Sequence, residues 1–371
     1  MRLGIEASNI LAGGGMVHLK EVLSHGKPMD HGFEQTIIWA SESTLRQLPD
    51  QEWLVKKSHP WLNRSIFFRV LWLHFVFPKV ARLSGIDVLF SPGANTINFE
   101  PAVSMCQNLL PFDRKESKLY GFSWMRFRLF ILSYLQTKAF KRAQGIIVLT
   151  VSNVAYLRKR LNIDNKYCVI PHGINPMFYH APSLKQLNVP IKLLYVSIVD
   201  VYKHQWNVVQ AVYGLMEKGY SVELTLVGGQ YPAAWEKLKR SINIHPEYAS
   251  RITYLPAVPY DQLTKIYQTA DIFVFASSCE TFSLVLLESM AASLPIVCAN
   301  RDTLKDTLGD AGIYFDPYSA QSIEKSIIEL IDNKTLREDL KVKAYTRAQS
   351  YSWSVCADQT FRYLSRIAKA K

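Results

Sequence analysis

No two of the five cysteines form a CxxC pair: they stand at 106, 168, 279, 298 and 356, and their number is odd. That argues against a zinc ribbon and a complete disulfide framework, and the expectation is reduced thiols in a cytosolic protein. Cys279 adjoins the acidic motif described below, but with no base beside it in sequence it reads as a small packing residue. Long apolar runs are missing too. The most apolar window, residues 66–77, contains Arg69 and His74 and is too short to span a bilayer. The chain opens directly on a strand-like run, Arg2 to Ala7, with no secretory leader pattern. Low-complexity tracts and internal repeats are absent, so a solenoid is not expected.

Acidic residues are scarce in one region. Residues 53–160 hold 17 basic and 4 acidic side chains, and residues 1–180 hold 22 against 12, or +10. Residues 181–371 hold 21 against 19, or +2, which completes the net charge of +12. The front of the chain is therefore the cationic part, for which nucleic acid and anionic lipid are both candidate partners. Two stretches there, 61–82 and 124–142, mix aromatic and basic residues. Most of the aromatics read as core, and the remainder, with Arg64, Arg69, Lys79, Arg82, Arg126, Arg128, Lys138, Lys141 and Arg142, suit a membrane surface. No recognised nucleic-acid-binding motif accompanies them.

What is present is a globular composition, 49% hydrophobic and 20% charged, in a chain of 371 residues, long enough for two domains. Strand-like and helix-like runs alternate twice. The first series reads strands at Leu3–Ala7, Gln35–Ala40, Val88–Phe90, Val103–Gln107, Gly145–Leu149 and Tyr167–Ile170. Helical patterns fill 16–24, 65–83, 124–142 and 152–161. Pro171-His172-Gly173 and the stretch 182–190 punctuate the chain, and a second series runs from Ile191 to Asn333. Such alternation predicts an α/β fold of two Rossmann-like domains with parallel sheets. A ligand cleft is expected between them, at the C-terminal ends of the strands.

Four groups of residues carry candidate chemistry. Glu280 and Glu288 lie eight positions apart, after the apolar run Ile272–Ala276, where a strand, a polar loop and a helix start suit an anion. Without further context, two solvated or helix-end acids explain the pair equally well. Lys203 follows the first strand of the second series; it could neutralise a diphosphate leaving group or be a loop lysine. Gly13, Gly14 and Gly15 follow the first strand, but His18 stands where a GxGxxG fingerprint requires glycine. Gly228 and Gly229 end another strand, where they could admit a nucleotide or simply turn the chain. His172 and His204 have no partners at metal-ligand spacing and no DxD-like pair ends a strand, so no metal is expected.

The run SSCETFSLVLLESMAASLPIV at 277–297 resembles the signature of retaining glycosyltransferases of family 4, enzymes of the GT-B type. The glycine turn at 13–15, VIPHGIN at 169–175, LTLVGG at 224–229, TADIFVFAS at 269–277 and YSW at 351–353 extend the likeness over nearly the whole chain. The resemblance implies an acceptor domain at 1–175, joined by a C-terminal helix, 354–371, that crosses back to it. It implies a nucleotide-sugar domain at 191–350. Glu288 would hold the ribose, Glu280 would sit beside the donor sugar, and Lys203 would bind the diphosphate. Backbone groups of Phe282, Ser283 and Leu284 would meet the sugar or diphosphate, Val258 the base, and Gly13–Gly15 the diphosphate from across the cleft.

Two departures from the family pattern stand out. Ser197-Ile198-Val199 lacks the arginine that often precedes the lysine. Gln107 and Asn108 occupy the place of a frequent histidine near the donor sugar, which implies positioning, not proton transfer.

The implied activity is a metal-independent, retaining hexosyl transfer from a donor such as GDP-mannose or a UDP-sugar, with no cofactor. The acceptor would be a glycan or lipid-linked glycan in surface polysaccharide or lipopolysaccharide assembly. The protein would be cytoplasmic, in peripheral contact with an anionic membrane. The alternatives are a GT-B nucleotide-sugar epimerase or hydrolase and, outside enzymes, a basic nucleic-acid-binding protein.

Overall fold

The computed structural model describes residues 1–162, 166–183 and 186–370. Lys371 and part of the 182–190 stretch lie outside them. The chain forms two compact units. The first comprises Met1–Phe112, Ser123–Gly173 and Tyr351–Lys371; the second comprises Asp113–Phe122 and Ile174–Ser350. Residues 113–122, which stand within the first strand series, thus group with the second unit.

The first unit is built on β1 (Arg2–Glu6), β2 (Gln35–Trp39), β3 (Leu54–Lys57), β4 (Val88–Ser91), β5 (Ala102–Met105), β6 (Gly145–Val148) and β7 (Tyr167–Val169). They form one sheet in the order β3-β2-β1-β4-β5-β6-β7, parallel throughout. The second unit contains β8 (Ile191–Val196), β9 (Val222–Val227), β10 (Ile252–Leu255), β11 (Ile272–Phe275), β12 (Ile296–Ala299) and β13 (Ile313–Phe315). Their order is β10-β9-β8-β11-β12-β13, again parallel. Central strands such as Ile272-Phe273-Val274-Phe275 are buried at every residue, as a sheet covered on both faces requires. In each sheet the order reverses once, between β1 and β4 and between β8 and β11. Doubly wound sheets bind ligands beyond the strand ends at that reversal.

Six helices matter below: α1 (Gly13–His25), α2 (Arg114–Lys118), α3 (Trp124–Arg142), α4 (Tyr260–Thr269), α5 (Leu284–Ala291) and α6 (Trp353–Lys369). The C-terminal helix α6 belongs to the first unit, where it packs on α1. It approaches closely because glycines lie beneath it. A Cβ on Gly26 would come within 2.3 Å of Phe361, and one on Gly173 within 2.0 Å of the Trp353 backbone nitrogen. The helical run expected over 65–83 is three segments, Ile66–Leu71, a π-turn Trp72–Val76 and Phe77–Leu83. Pro78 has no N–H to continue the ladder, and the π-turn turns the apolar face through it.

Candidate functional site

The reversal in the second sheet brings together two residues that are 77 positions apart. Lys203 lies in the loop after β8 and Glu280 in the loop after β11, and Lys203 Nζ donates to Glu280 Oε1. Both side chains are largely buried, 8% and 14% exposed, so the pair is shielded from water and attracts more strongly than a surface pair. The Lys203 loop is held at several points. Asp200 caps it through Val201 N–H at 2.7 Å, its carbonyl accepts from Lys203 N–H, and the buried Tyr195 hydroxyl donates to the Lys203 carbonyl at 2.5 Å. The two loops also meet directly, Ser278 N–H donating to the Tyr202 carbonyl at 2.8 Å.

Ser283 caps α5, its Oγ accepting from Leu286 N–H at 3.3 Å. One turn into the helix, Glu288 is 3% exposed. Tyr267 donates to its Oε2 at 2.9 Å and Tyr260 to its Oε1 at 3.2 Å, both from α4. Burial pushes the Glu288 carboxyl up to about 7, and the two tyrosine hydrogen bonds pull the other way. Phe282 is buried in the same loop, and Val258 is half-buried just ahead of α4. Gly228 has φ +145°, and a Cβ there would fall 2.2 Å from the Ser197 carbonyl oxygen. The close approach of the β8 and β9 ends accounts for that glycine without a ligand.

In the first unit, Gly13 opens α1 at φ +71°, and Gly13 and Gly14 are exposed. A Cβ on Gly15 would lie 2.7 Å from Gln107 Oε1, so Gln107 reaches the glycine turn. Asn108 turns its side chain to its own loop, accepting from Leu110 N–H at 2.9 Å. His172, solitary in sequence, lies against His18, Nδ1 to Nδ1 at 3.2 Å, with Trp353 beside both. With Cys356 they bring three ligand-type atoms within 4.8 Å of one another. Burial holds both imidazoles neutral but pushes the Cys356 thiol up to about 12, so a metal there would first have to strip that proton.

Several neighbours of the Lys203–Glu280 pair were invisible in sequence. His204, in the left-handed region at φ 51°, makes a hydrogen bond to Ser278 Oγ at 2.9 Å, and burial lowers it to about 4. Arg301, after β12, donates from Nε to the Ser278 carbonyl at 3.1 Å. Glu116, Tyr120 and Tyr318 complete the surroundings. Nothing in a single sequence links positions 116 and 278; the only available hint was that Asp200 and His204 flank Lys203.

Residues 182–347 match the family described as glycosyl transferases group 1. O-antigen chain mannosyltransferase B of Escherichia coli is 28% identical over 172 residues, 45% of this chain and 44% of that protein. The chain thus matches less than half the length of that curated relative. Among solved structures, sucrose-phosphate synthase from Thermosynechococcus elongatus superposes with a TM-score of 0.77 at 17% identity, covering 100% of both chains. HepE of Anabaena, solved with UDP-glucose, gives 0.69 at 15% identity, over 100% of this chain and 99% of that one. Residues 182–347, which hold Lys203, Glu280 and Glu288, are accordingly a glycosyl transferases group 1 domain, in a chain with the GT-B fold.

Proposed function

We propose that this chain is a retaining hexosyltransferase that takes its sugar from a nucleotide-diphosphate donor and needs no metal. The observation that carries this is the buried Lys203–Glu280 pair at the strand-order reversal, beside the helix that bears Glu288. Glu280 is the ion-pair partner of Lys203. A diphosphate entering there would compete for the ammonium, which then stabilises the charge growing on the leaving group. Helix-end amides around Phe282, Ser283 and Leu284 add to that stabilisation, and Glu288 takes the ribose hydroxyls. The bond from the anomeric carbon to the phosphate oxygen breaks and the bond to the acceptor oxygen forms on the same face. The acceptor proton leaves with the nucleoside diphosphate. A glycosidase-like route would instead need a protein carboxylate to bond the anomeric carbon, a step that this one omits.

Gly13–Gly15 are proposed as diphosphate-binding groups, Gln107 and Asn108 as sugar or acceptor positioning groups, and Val258 as the base side. A glycan or lipid-linked acceptor fits the basic first unit, and the Escherichia coli relative's name points the same way. Thermal unfolding in the presence of UDP, GDP, ADP and their sugars tests the donor, because a ligand that binds only the native state raises its melting temperature. One nucleoside diphosphate should stabilise markedly. Anomeric analysis of the product should show retention, and inversion would sink the mechanism.

A further inference from the structure

We propose that Glu116 and Tyr120 are positioning residues that set the Lys203 and Glu280 loops in register; the proposal rests on the donor-site reading above. Both lie on Asp113–Phe122, a segment whose neighbours in sequence, residues 112 and 123, belong to the first unit while it belongs to the second. Asp113 caps α2, accepting from Lys115 N–H at 2.9 Å and Glu116 N–H at 3.1 Å, which fixes the helix start and with it the aim of Glu116.

Glu116 is 2% exposed. Its Oε2 accepts from Ser278 Oγ at 2.6 Å, and its Oε1 accepts from the Tyr318 hydroxyl. Ser278 has one hydroxyl proton, and the shortest partner, Glu116, takes it. The 2.9 Å contact between Ser278 Oγ and His204 must then be a donation from His204 Nε2–H. A relay results, His204 to Ser278 to Glu116, with Tyr318 donating from the other side. His204 is the residue after Lys203, and Ser278 stands two before Glu280. One carboxylate therefore grips both loops of the ion pair.

Tyr120 grips the first loop a second time. Its hydroxyl donates to Asp200 Oδ1 at 2.8 Å, the same oxygen that caps Val201 and shapes the turn presenting Lys203. Burial and the neighbouring Asp200 keep the Tyr120 proton in place by raising its pKa.

The chemistry of the contact argues against simple packing. A segment that merely covered the surface would be better served by apolar side chains, since a buried carboxylate forfeits its hydration. Among the described residues Glu116 has no salt-bridge partner, and its carboxylate accepts from the Ser278 and Tyr318 hydroxyls. The nearby cations Lys115 and Arg301 lie over the Tyr318 ring, at 4.0 and 5.3 Å from its centroid. Acceptor oxygens at fixed positions are what the arrangement supplies: Oε2 holds Ser278 in the Glu280 loop, and Oε1 holds Tyr318 in the loop after β13.

Glu116→Gln is nearly isosteric but offers one acceptor oxygen where two are used; Tyr120→Phe removes a single donor. Each variant is first checked for wild-type circular dichroism. Amide hydrogen exchange in peptides covering 198–205 and 276–284 should then speed up about three- to tenfold, the effect of one lost hydrogen bond, with β12 unchanged. Affinities for UMP, UDP, GMP and GDP supply the second readout. The gain that the second phosphate confers should shrink by a similar factor while monophosphate affinity holds, a split that a generally loosened domain would not produce. Unchanged exchange in both loops together with an unchanged phosphate increment would overturn the proposal. If the wild-type chain bound none of these nucleotides, the donor-site reading would fall instead, and the exchange rates alone would decide the role of Glu116 and Tyr120.

Discussion

Burial of Glu288, the proposed ribose ligand, comes at the fold's expense. With its carboxyl raised to about 7 from 4.5, the folded protein keeps a proton that the unfolded chain releases as pH climbs through that window. The native state binds more protons there, so this group's contribution to stability falls as pH rises from about 4.5 to about 7 and is flat above. Glu288→Gln removes the charge and keeps an acceptor for a tyrosine hydroxyl. Urea unfolding should find the variant more stable than wild type by on the order of 1–3 kcal/mol at about pH 8, and little different at about pH 5. The same change should weaken nucleotide binding about tenfold or more, because ribose hydroxyls lose a charged acceptor. Equal stability at both pH values would mean that the buried carboxylate is tolerated ionised. Glu288 and Lys203 could be singled out from sequence because each follows a strand-like run. Tyr260 and Tyr267 could not, since their role depends on α4 lying beside α5, and residue spacing carries no trace of that.

At the scale of elements, legibility follows burial. β11 and β12 stand where their apolar runs predict, because strands covered on both faces read as uninterrupted hydrophobic stretches. β3 is not legible in sequence: Leu54-Val55-Lys56-Lys57 is an edge strand whose lysines look like loop. The helix Lys334–Ala348 is hard to see in sequence for a related reason. Its buried face is built from Arg337, Leu340, Lys341, Ala344 and Ala348, with the Arg337 guanidinium donating to the Leu330 carbonyl at 2.6 Å, so its apolar stripe is hidden behind charged names. The C-terminal helix was anticipated, but its glycine bed was not. Gly173→Ala would drive a Cβ into the Trp353 backbone, and backbone cannot rotate away as a side chain can. The expected loss is about 3 kcal/mol in urea unfolding. Trypsin cleavage after Arg362 and Arg366 should accelerate as α6 loosens. Wild-type stability would mean that the loop at 171–175 yields without losing the helix.

Over the whole molecule, charge and exposed apolar surface coincide in one unit. Among the described residues no helix is long and apolar enough to cross a membrane. Yet α3, nineteen residues long, buries only Leu129, Ala139 and Phe140. Trp124, Phe127, Phe130, Ile131 and Tyr134 are exposed on it, and at 100° per residue they fall within an arc of about 120°. Lys138, Lys141 and Arg142 extend that arc at its C-terminal end, and Arg128 flanks it. An aromatic stripe with cations around it is the pattern of a surface that rests in a lipid headgroup layer, and +10 of the net +12 lies in residues 1–180. Lipid contact would bring the first unit to the acceptor expected for it. Each cation near an anionic surface contributes about 1 kcal/mol at low salt. Replacing Arg126, Arg128, Lys141 and Arg142 by glutamine should therefore weaken binding to phosphatidylcholine vesicles containing about 30% phosphatidylglycerol by at least about tenfold, less at high salt. Trp124→Ala with Phe130→Ala should instead lower binding to neutral and anionic vesicles alike, since it removes the inserted apolar area. Vesicle binding that neither set of changes altered would rule out α3 as the membrane-facing element.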